Sequence, residues 1–202
     1  MVKTPGPQKP RFAILACRSL ELEMRAVAVE SGVPFFMRVF SSRCHRDPEG
    51  LGRAIEKSFG SIETNLPVFL AYGNCFSPVN AGVRKIQGLS ALNCAAALLG
   101  GNDEYERLAE ASYFLTPHLA AGWKKYFLGT ADAVPDKNIK RRLSKWFAPI
   151  DKFILIDSGV RDLSPVVASA RELSEIVEKP LLGVRGTLDL LRRDLNDFHA
   201  KG

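Results

Sequence analysis

The stretch Phe12-Ala-Ile-Leu-Ala16, followed directly by Cys17, is the first of several short apolar runs that decide the predicted fold. A run of this length is too short for a helix and is typical of a strand in a buried sheet. Residues 20–31 then carry apolar positions at helical spacing, and Gly32 ends that helix. Because strand and helix go on alternating, the sequence predicts an α/β fold with a Rossmann-like, open, mostly parallel sheet and helices on both faces.

The other predicted elements continue this alternation. Strands are expected at residues 34–41, 65–71, 89–92, 152–156 and 181–184, and helices at residues 48–60, 79–86, 94–99, 102–111, 164–178 and 186–198. Another helix is expected to begin at Pro117, after a brief extended link at residues 113–116.

The domain organisation is predicted to be simple. We expect a single α/β domain over residues 11–202, preceded by a disordered, proline-rich leader at residues 1–10. Residues 102–148 depart from the regular alternation and are predicted to be a helical insertion. Inside it, residues 124–145 carry seven Lys or Arg residues against two Asp residues, in a chain whose net charge is +6.

Composition narrows the class of protein. With 46% hydrophobic and 25% charged residues, the chain resembles an ordinary globular protein. No apolar run approaches the roughly 20 residues of a membrane-spanning helix, so no membrane association is expected. The polar leader lacks a signal-peptide core, which favours a cytoplasmic location. Thiols stay reduced there, so the four cysteines indicate packing, metal ligation or catalysis rather than disulfides.

All four cysteines come shortly after an apolar run predicted to be a strand: Cys17, Cys44, Cys75 and Cys94. Carboxyl ends of parallel strands share one edge of a sheet, where open α/β sheets bind their ligands. We therefore expect the cysteines to gather there. Thiolates from separate loops suit zinc, copper(I) or an iron–sulfur cluster, and His45 would add a nitrogen ligand. Core packing is the alternative for each thiol, and no C-x-x-C spacing decides between the two.

Several runs carry a resemblance to a known family. They are Ala16-Cys17-Arg18-Ser19-Leu20-Glu21-Leu22-Glu23, His45-Arg46-Asp47-Pro48-Glu49-Gly50-Leu51, Leu70-Ala71-Tyr72-Gly73-Asn74-Cys75, Asn93-Cys94-Ala95-Ala96-Ala97-Leu98-Leu99-Gly100, Tyr113-Phe114-Leu115-Thr116-Pro117, Ile156-Asp157-Ser158-Gly159 and Gly186-Thr187-Leu188-Asp189-Leu190-Leu191. In this order they resemble the family called domain of unknown function sixteen-thirty-eight, and they span nearly the whole chain.

The resemblance implies a cysteine-bearing protein of anaerobic metabolism, of a kind found near corrinoid-dependent methyl-transfer systems. The positions that it implies for the site are Cys17, His45, Tyr72, Gly73, Cys75 and Cys94. One motif departs from the family. Where members usually have Pro-Arg-x-His-Asp-Cys, this chain has Leu89-Ser90-Ala91-Leu92-Asn93-Cys94, so only the cysteine remains. A role that needs thiolates alone is compatible with this change.

The first functional hypothesis is a metal-site protein. Cys17, Cys75 and Cys94 would ligate an iron–sulfur cluster or another thiophilic metal, with His45 or Cys44 as a fourth ligand and Tyr72 and Gly73 beside them. Zinc or a corrinoid is the alternative cofactor. Such a protein would be an accessory, electron-transfer or metal-delivery factor, and its partner a larger metalloenzyme or a methyl-transfer protein.

Two other hypotheses come from different classes. A metal-free interaction module would dock on a larger enzyme through residues 124–145 and the interleaved aromatic residues Trp123, Tyr126, Phe127 and Trp146. A small-molecule transferase would use the thiolate of Cys94 at a helix amino terminus. Nucleic-acid binding is disfavoured because no recognised nucleic-acid fold accompanies the basic residues.

Two carboxylates are weaker candidates. Glu21, in the first helical turn after Cys17, would either orient a ligand or favour the helix dipole. Asp157 ends a predicted strand and would either bind a ribose or a metal, or form an ordinary turn.

Overall fold

The structure is a computed structural model that describes residues 9–41, 48–63, 66–74 and 85–201. Its strands are β1 (Phe12–Cys17), β2 (Phe35–Phe40), β3 (Val68–Ala71), β4 (Ile86–Gly88), β5 (Ser112–Leu115), β6 (Lys152–Asp157) and β7 (Leu181–Arg185). Its α-helices are α1 (Glu21–Glu30), α2 (Pro48–Phe59), α3 (Cys94–Leu98), α4 (Asn102–Ala109), α5 (Pro117–Ala121), α6 (Lys137–Trp146), α7 (Ser164–Val177) and α8 (Asp189–Ala200).

The chain divides into two compact units. One unit comprises Met1–Leu89 together with Leu191–Gly202, and the other comprises Ser90–Leu190. Each contains one sheet in which every described strand pair is parallel, with four strands in the first unit and three in the second. This confirms the predicted Rossmann-like α/β class. The single domain over residues 11–202 stays a prediction, and residues 1–8 of the predicted leader lie outside the described part.

The first sheet has the order β2-β1-β3-β4. All six residues of β1 and all four of β3 are buried, which explains why both read as unbroken apolar runs in the sequence. Ala13 and Leu15 of β1 face a cluster that contains Leu51 and Ile55 of α2. On the other face, Phe12 contacts the ring of Phe198 in α8, with ring centroids 5.7 Å apart. Helices therefore cover both faces of this sheet.

The second sheet has the order β5-β6-β7. Since its strands follow one another in one direction, right-handed crossovers bring the connecting helices to the same face. That face holds a buried cluster drawn from the strands, from α5, α6 and α7, and from the π-helical turn Lys124–Leu128. The members with the largest side chains are Leu115, Trp123, Phe127, Leu143, Phe147, Phe153, Leu155 and Leu173.

The strand predicted at residues 89–92 is wrong. The neighbour of β3 on this side is β4, which comes just before the predicted strand, and residues 90–93 form bends. Local polar contacts explain the difference, because the backbone N–H of Leu92 donates to the side chain of Asn102 at 2.8 Å. Of the helix predicted at residues 79–86, residues 79–84 lie outside the described part, and Ile86 belongs to β4.

The extended link predicted at residues 113–116 is part of a strand. β5 is an edge strand whose Ser112 pairs with Lys152 of β6, so the otherwise helical stretch 102–148 also contributes to the second sheet. The link was too short to be recognised from sequence as a strand. Its pairing partner lies some forty residues further along the chain, and local sequence patterns do not indicate such pairings.

Gly186 holds the end of the second sheet against α3. Its N–H donates to the carbonyl of Asp157 at 2.8 Å, and the next residue, Thr187, donates to the carbonyl of Leu98 at 2.8 Å. A Cβ atom at residue 186 would lie 2.6 Å from the Leu98 carbonyl oxygen and 2.8 Å from Ile156 Cγ2. Backbone and strand core therefore leave no room for a side chain.

Gly186→Ala is expected to lower the free energy of unfolding by about 2 kcal/mol or more, because the added methyl group must displace backbone. Gly183→Ala in β7 is the matched control, since a Cβ there meets nothing within 4 Å. Urea denaturation of both variants measures the effect. Equal stability of the two would contradict the packing described for Gly186.

Candidate functional site

The strand order of the first sheet creates a switch point between β1 and β3. From β1 the chain moves to β2 on one side, and it then crosses over to β3 on the other side. The strand order therefore runs outward from β1 in both directions along the sheet. In open α/β folds, the crevice at the carboxyl ends of two such strands is the usual ligand site.

Cys17 lies at this switch point. It is the last residue of β1 and pairs with Phe40, the last residue of β2. On the other side Ala16 pairs with Ala71, the last residue of β3, so Tyr72 and Gly73 come directly after the neighbouring strand. Cys17 is 2% exposed and belongs to the buried cluster on the α2 face of the sheet.

Tyr72 ties the ends of the two strands together. Its hydroxyl donates to the carbonyl of Ala16 at 3.2 Å, and its buried ring lies 6.4 Å from the ring of Phe40. Gly73 is also buried. The structure thus brings together three of the predicted site residues, Cys17, Tyr72 and Gly73, as the parallel order required. Phe40, the last residue of β2, was not predicted as part of the site.

The other predicted ligands have different positions. Cys94 belongs to the second unit and begins α3, where the side chain of Asn93 caps the helix by accepting from the N–H of Ala96 at 2.9 Å. Cys44, His45 and Cys75 lie outside the described residues. Within residues 9–41, 48–63, 66–74 and 85–201, no three His, Cys, Asp or Glu residues form a group suited to a metal.

Both weaker carboxylate candidates are engaged in local contacts. Glu21 accepts from Arg18 at 2.6 Å and lies 3.5 Å from Arg25, so it forms surface ion pairs on α1. Asp157 accepts from the N–H of Gly159 at 2.8 Å and from Arg185 at 2.9 Å. The contacts of Asp157 match the ordinary-turn alternative, with an added ion pair across the ends of β6 and β7.

The basic segment at residues 124–145 is divided between core and surface. Trp123 and Phe127, predicted as part of a docking surface, are buried in the core of the second unit because they face the sheet. Trp146 is 47% exposed, and the guanidinium of Arg142 lies 5.3 Å from its ring centroid. Of the interleaved aromatic residues, Trp146 is the one that the structure describes as exposed.

Fold and strand-end residues together define the class: an α/β protein whose first sheet presents a buried cysteine at a switch point. The family model described as Protein of unknown function (DUF1638) matches residues 39–195, and the chain belongs to this family. The matched range includes His45, Tyr72, Gly73, Cys75 and Cys94, while Cys17 precedes it. Searches of curated proteins and of solved structures gave no match.

A separate finding concerns membranes. Among the helices in the described ranges, none combines the length and the apolar character needed to cross a bilayer.

Tyr72→Phe is expected to lower the free energy of unfolding by about 1 kcal/mol, because the buried hydroxyl no longer binds the Ala16 carbonyl. Tyr105→Phe is the control, since that ring contacts Phe114 at 4.9 Å and keeps this contact without its hydroxyl. Chemical denaturation of both variants measures the difference. A Tyr72→Phe protein as stable as the wild type would show that the hydroxyl does not hold the strand ends.

Proposed function

We propose that this protein binds a thiophilic metal or an iron–sulfur cluster through cysteines that follow the strands of its first sheet. Cys17 and Cys75 are the central ligands in this proposal. His45 is the candidate nitrogen ligand. The observation that carries the proposal is the position of Cys17 beside Tyr72 and Gly73 at the β1–β3 switch point.

The chain's connectivity supports the pairing of these two cysteines. β3 ends at Ala71 and is followed by Tyr72, Gly73 and Asn74, after which Cys75 comes next in the sequence. The second thiol therefore follows the strand that lies beside Cys17. Two thiols contributed by neighbouring strand ends make a soft donor set of the kind that zinc, copper(I) and iron–sulfur clusters prefer.

Burial also fits this donor set. Cys17 is 2% exposed, and its neighbours in the cluster include Leu70, Tyr72 and Leu51. An apolar shell limits the access of water to a metal site and influences both its redox potential and the acidity of bound water. The hydrogen bond from Tyr72 to Ala16 fixes the backbone that precedes Cys17, which would orient its sulfur.

The proposed role is that of an accessory factor. A bound cluster would supply one-electron chemistry, whereas a bound zinc ion would supply structure or Lewis acidity. The residues of this chain would hold the metal, shield it from water and present it to a partner. The resemblance to proteins found near corrinoid-dependent methyl-transfer systems favours a larger metalloenzyme or a methyl-transfer protein as that partner.

Metal analysis of anaerobically purified protein is the test. The wild type is expected to contain bound iron, zinc or cobalt. Cys17→Ser and Cys75→Ser are each expected to lose most of it, because removing one thiolate from a small soft site weakens binding by about tenfold or more. Plasma mass spectrometry measures the metal, and absorption between the near ultraviolet and the visible range detects a cluster.

Cys44→Ser is the matched control, because the proposal takes His45, and not the neighbouring Cys44, as the further ligand beside Cys17 and Cys75. It is expected to retain the metal content of the wild type. Far-ultraviolet circular dichroism identifies variants that fail to fold. A folded wild-type protein without metal, or a folded Cys75→Ser variant with undiminished metal, would contradict the proposal.

The exposed face of α6 favours a second candidate function, docking on an acidic partner protein. Within α6 there are five basic residues and no acidic one. Four of its basic side chains are exposed at helical spacing, which places them on one face of the helix: Lys137, Lys140, Arg141 and Lys145. The fifth, Arg142, is exposed beside Trp146. A single-sign surface of this kind accelerates association with a partner of opposite charge.

Reversal of Lys140, Arg141 and Arg142 to Glu is expected to abolish capture of an acidic partner in a pull-down. The expected loss is greater at low salt, where charge attraction is least screened. A variant with Arg53, Lys57 and Arg171 changed to Glu carries the same change in net charge on exposed positions elsewhere. Equal capture by the two variants would exclude a specific role for α6.

A further inference from the structure

The five basic side chains of α6 have no counter-charge within the described part of the chain. None of them forms an ion pair with a described carboxylate: Lys137, Lys140, Arg141, Arg142 and Lys145. Arginines of other helices do form such pairs, as Arg107 does with Glu104 in α4. Asp136, which directly precedes α6, caps the helix by accepting from the N–H of Ile139 at 2.8 Å. The charge of α6 is therefore available to a partner of opposite charge.

An open surface groove of about 590 Å³ runs along this helix. It is lined by Asp136, Asn138, Ile139, Arg141, Arg142 and Lys145. The members at positions 138, 141, 142 and 145 recur at the spacing that places side chains in one stripe of a helix. The stripe is about 10 Å long, since each helical residue adds about 1.5 Å. An extended segment of roughly three to five residues from another protein is long enough to lie along it.

Arg142 and Trp146 form an anchor at the end of this stripe. They lie one helical turn apart, and the Arg142 guanidinium lies over the indole, 5.3 Å from its ring centroid. Contact with the ring restrains the long arginine side chain, whose planar N–H groups bind a carboxylate in bidentate fashion. Trp146 is 47% exposed, so part of the indole is open to a further contact. Trp and Arg are also the residue types that most often dominate the free energy of binding at protein interfaces.

We propose that the acidic partner binds α6 through a segment in which an aromatic side chain is flanked by carboxylates. This rests on the second candidate function above and specifies the segment of the partner that is recognised. A carboxylate of the segment accepts from Arg142, and the aromatic ring packs on the exposed part of Trp146. Two rings in contact contribute free energy beyond the area that they bury, which favours an aromatic side chain at this position. The other four basic residues of α6 attract any acidic segment, because exposed, flexible cations act mainly through long-range charge.

Three short peptides with blocked termini test this recognition. They are Glu-Asp-Phe-Glu-Asp, its equally charged counterpart Glu-Asp-Ala-Glu-Asp, and the uncharged Gln-Asn-Phe-Gln-Asn. In isothermal titration calorimetry of the full chain, the phenylalanine peptide is expected to bind about fivefold more tightly than the alanine peptide, because it adds one aromatic contact. The uncharged peptide is expected to show no saturable binding. Added salt is expected to weaken both acidic peptides alike and to leave their ratio unchanged, because screening acts on charge and not on ring packing.

Variants of α6 assign the preference to its anchor. Trp146→Ala is expected to bind both acidic peptides equally, with the affinity that the wild type has for the alanine peptide. Arg142→Lys keeps the charge but removes the planar guanidinium, so it is expected to lose most of the preference as well. Lys140→Gln is the matched control on the same helix, and it is expected to weaken both acidic peptides by the same factor. Far-ultraviolet circular dichroism verifies that each variant is folded.

The outcomes separate this recognition from the function on which it rests. Equal binding of the two acidic peptides by the wild type would overturn the recognition of an aromatic side chain and leave docking of an acidic partner in place. An undiminished preference in folded Trp146→Ala protein would do the same. Absence of saturable binding of either acidic peptide would overturn both. Tighter binding of the uncharged peptide than of the alanine peptide would overturn the role given to the flanking carboxylates.

Discussion

The burial of β1 between two parallel neighbours is the constraint on which the first unit depends. Every residue of this strand is buried, and both of its edges are occupied, by β2 in register from Phe12 and by β3 from Ala13. A parallel neighbour requires a crossover connection, and a strand buried on both faces requires helices above and below the sheet. The helices on both faces and the switch point at Cys17 both follow from this one strand.

The two edges of the same sheet then differ in chemistry. The carboxyl edge carries a buried thiol held among Tyr72, Phe40 and apolar neighbours. The amino edge carries buried nitrogen atoms of Lys85 and His199 around an aromatic ring. Burial of a thiol in an apolar core costs little free energy, whereas burial of an unpaired ammonium costs much more.

The strands that were predicted well from the sequence have apolar runs long enough to indicate a strand without knowledge of its pairing partner. β1, β2, β6 and β7 lie within a residue or two of their predicted positions, because each is a continuous apolar or nearly apolar run. β4 was missed because Ile86-Gln-Gly88 has a single apolar side chain and becomes a strand only through pairing with β3. The apolar residues at 89–92 suggested a strand, but the backbone N–H of Leu92 donates to the side chain of Asn102 instead of to a neighbouring strand.

The candidate site was predictable in part for similar reasons. Parallel order alone predicts that residues after β1 and β3 are neighbours, so Cys17, Tyr72 and Gly73 could be grouped from the sequence. The hydrogen bond between Tyr72 and Ala16 could not be predicted from the sequence, because it depends on the rotamer of one side chain. The position of Lys85 near the ring of Phe198 could not be predicted either, because it depends on the packing of α8 against the sheet.

The central claim is that sulfur atoms of Cys17 and Cys75 bind one metal, and X-ray absorption at the edge of the bound metal tests it most directly. For anaerobically purified protein, we expect a first shell dominated by sulfur, at roughly 2.3 Å if the metal is zinc. We also expect Cys75→Ser, reconstituted with the same metal, to lose one sulfur scatterer and Cys44→Ser to lose none. A first shell of oxygen and nitrogen alone, or a sulfur count unchanged by Cys75→Ser, would contradict it.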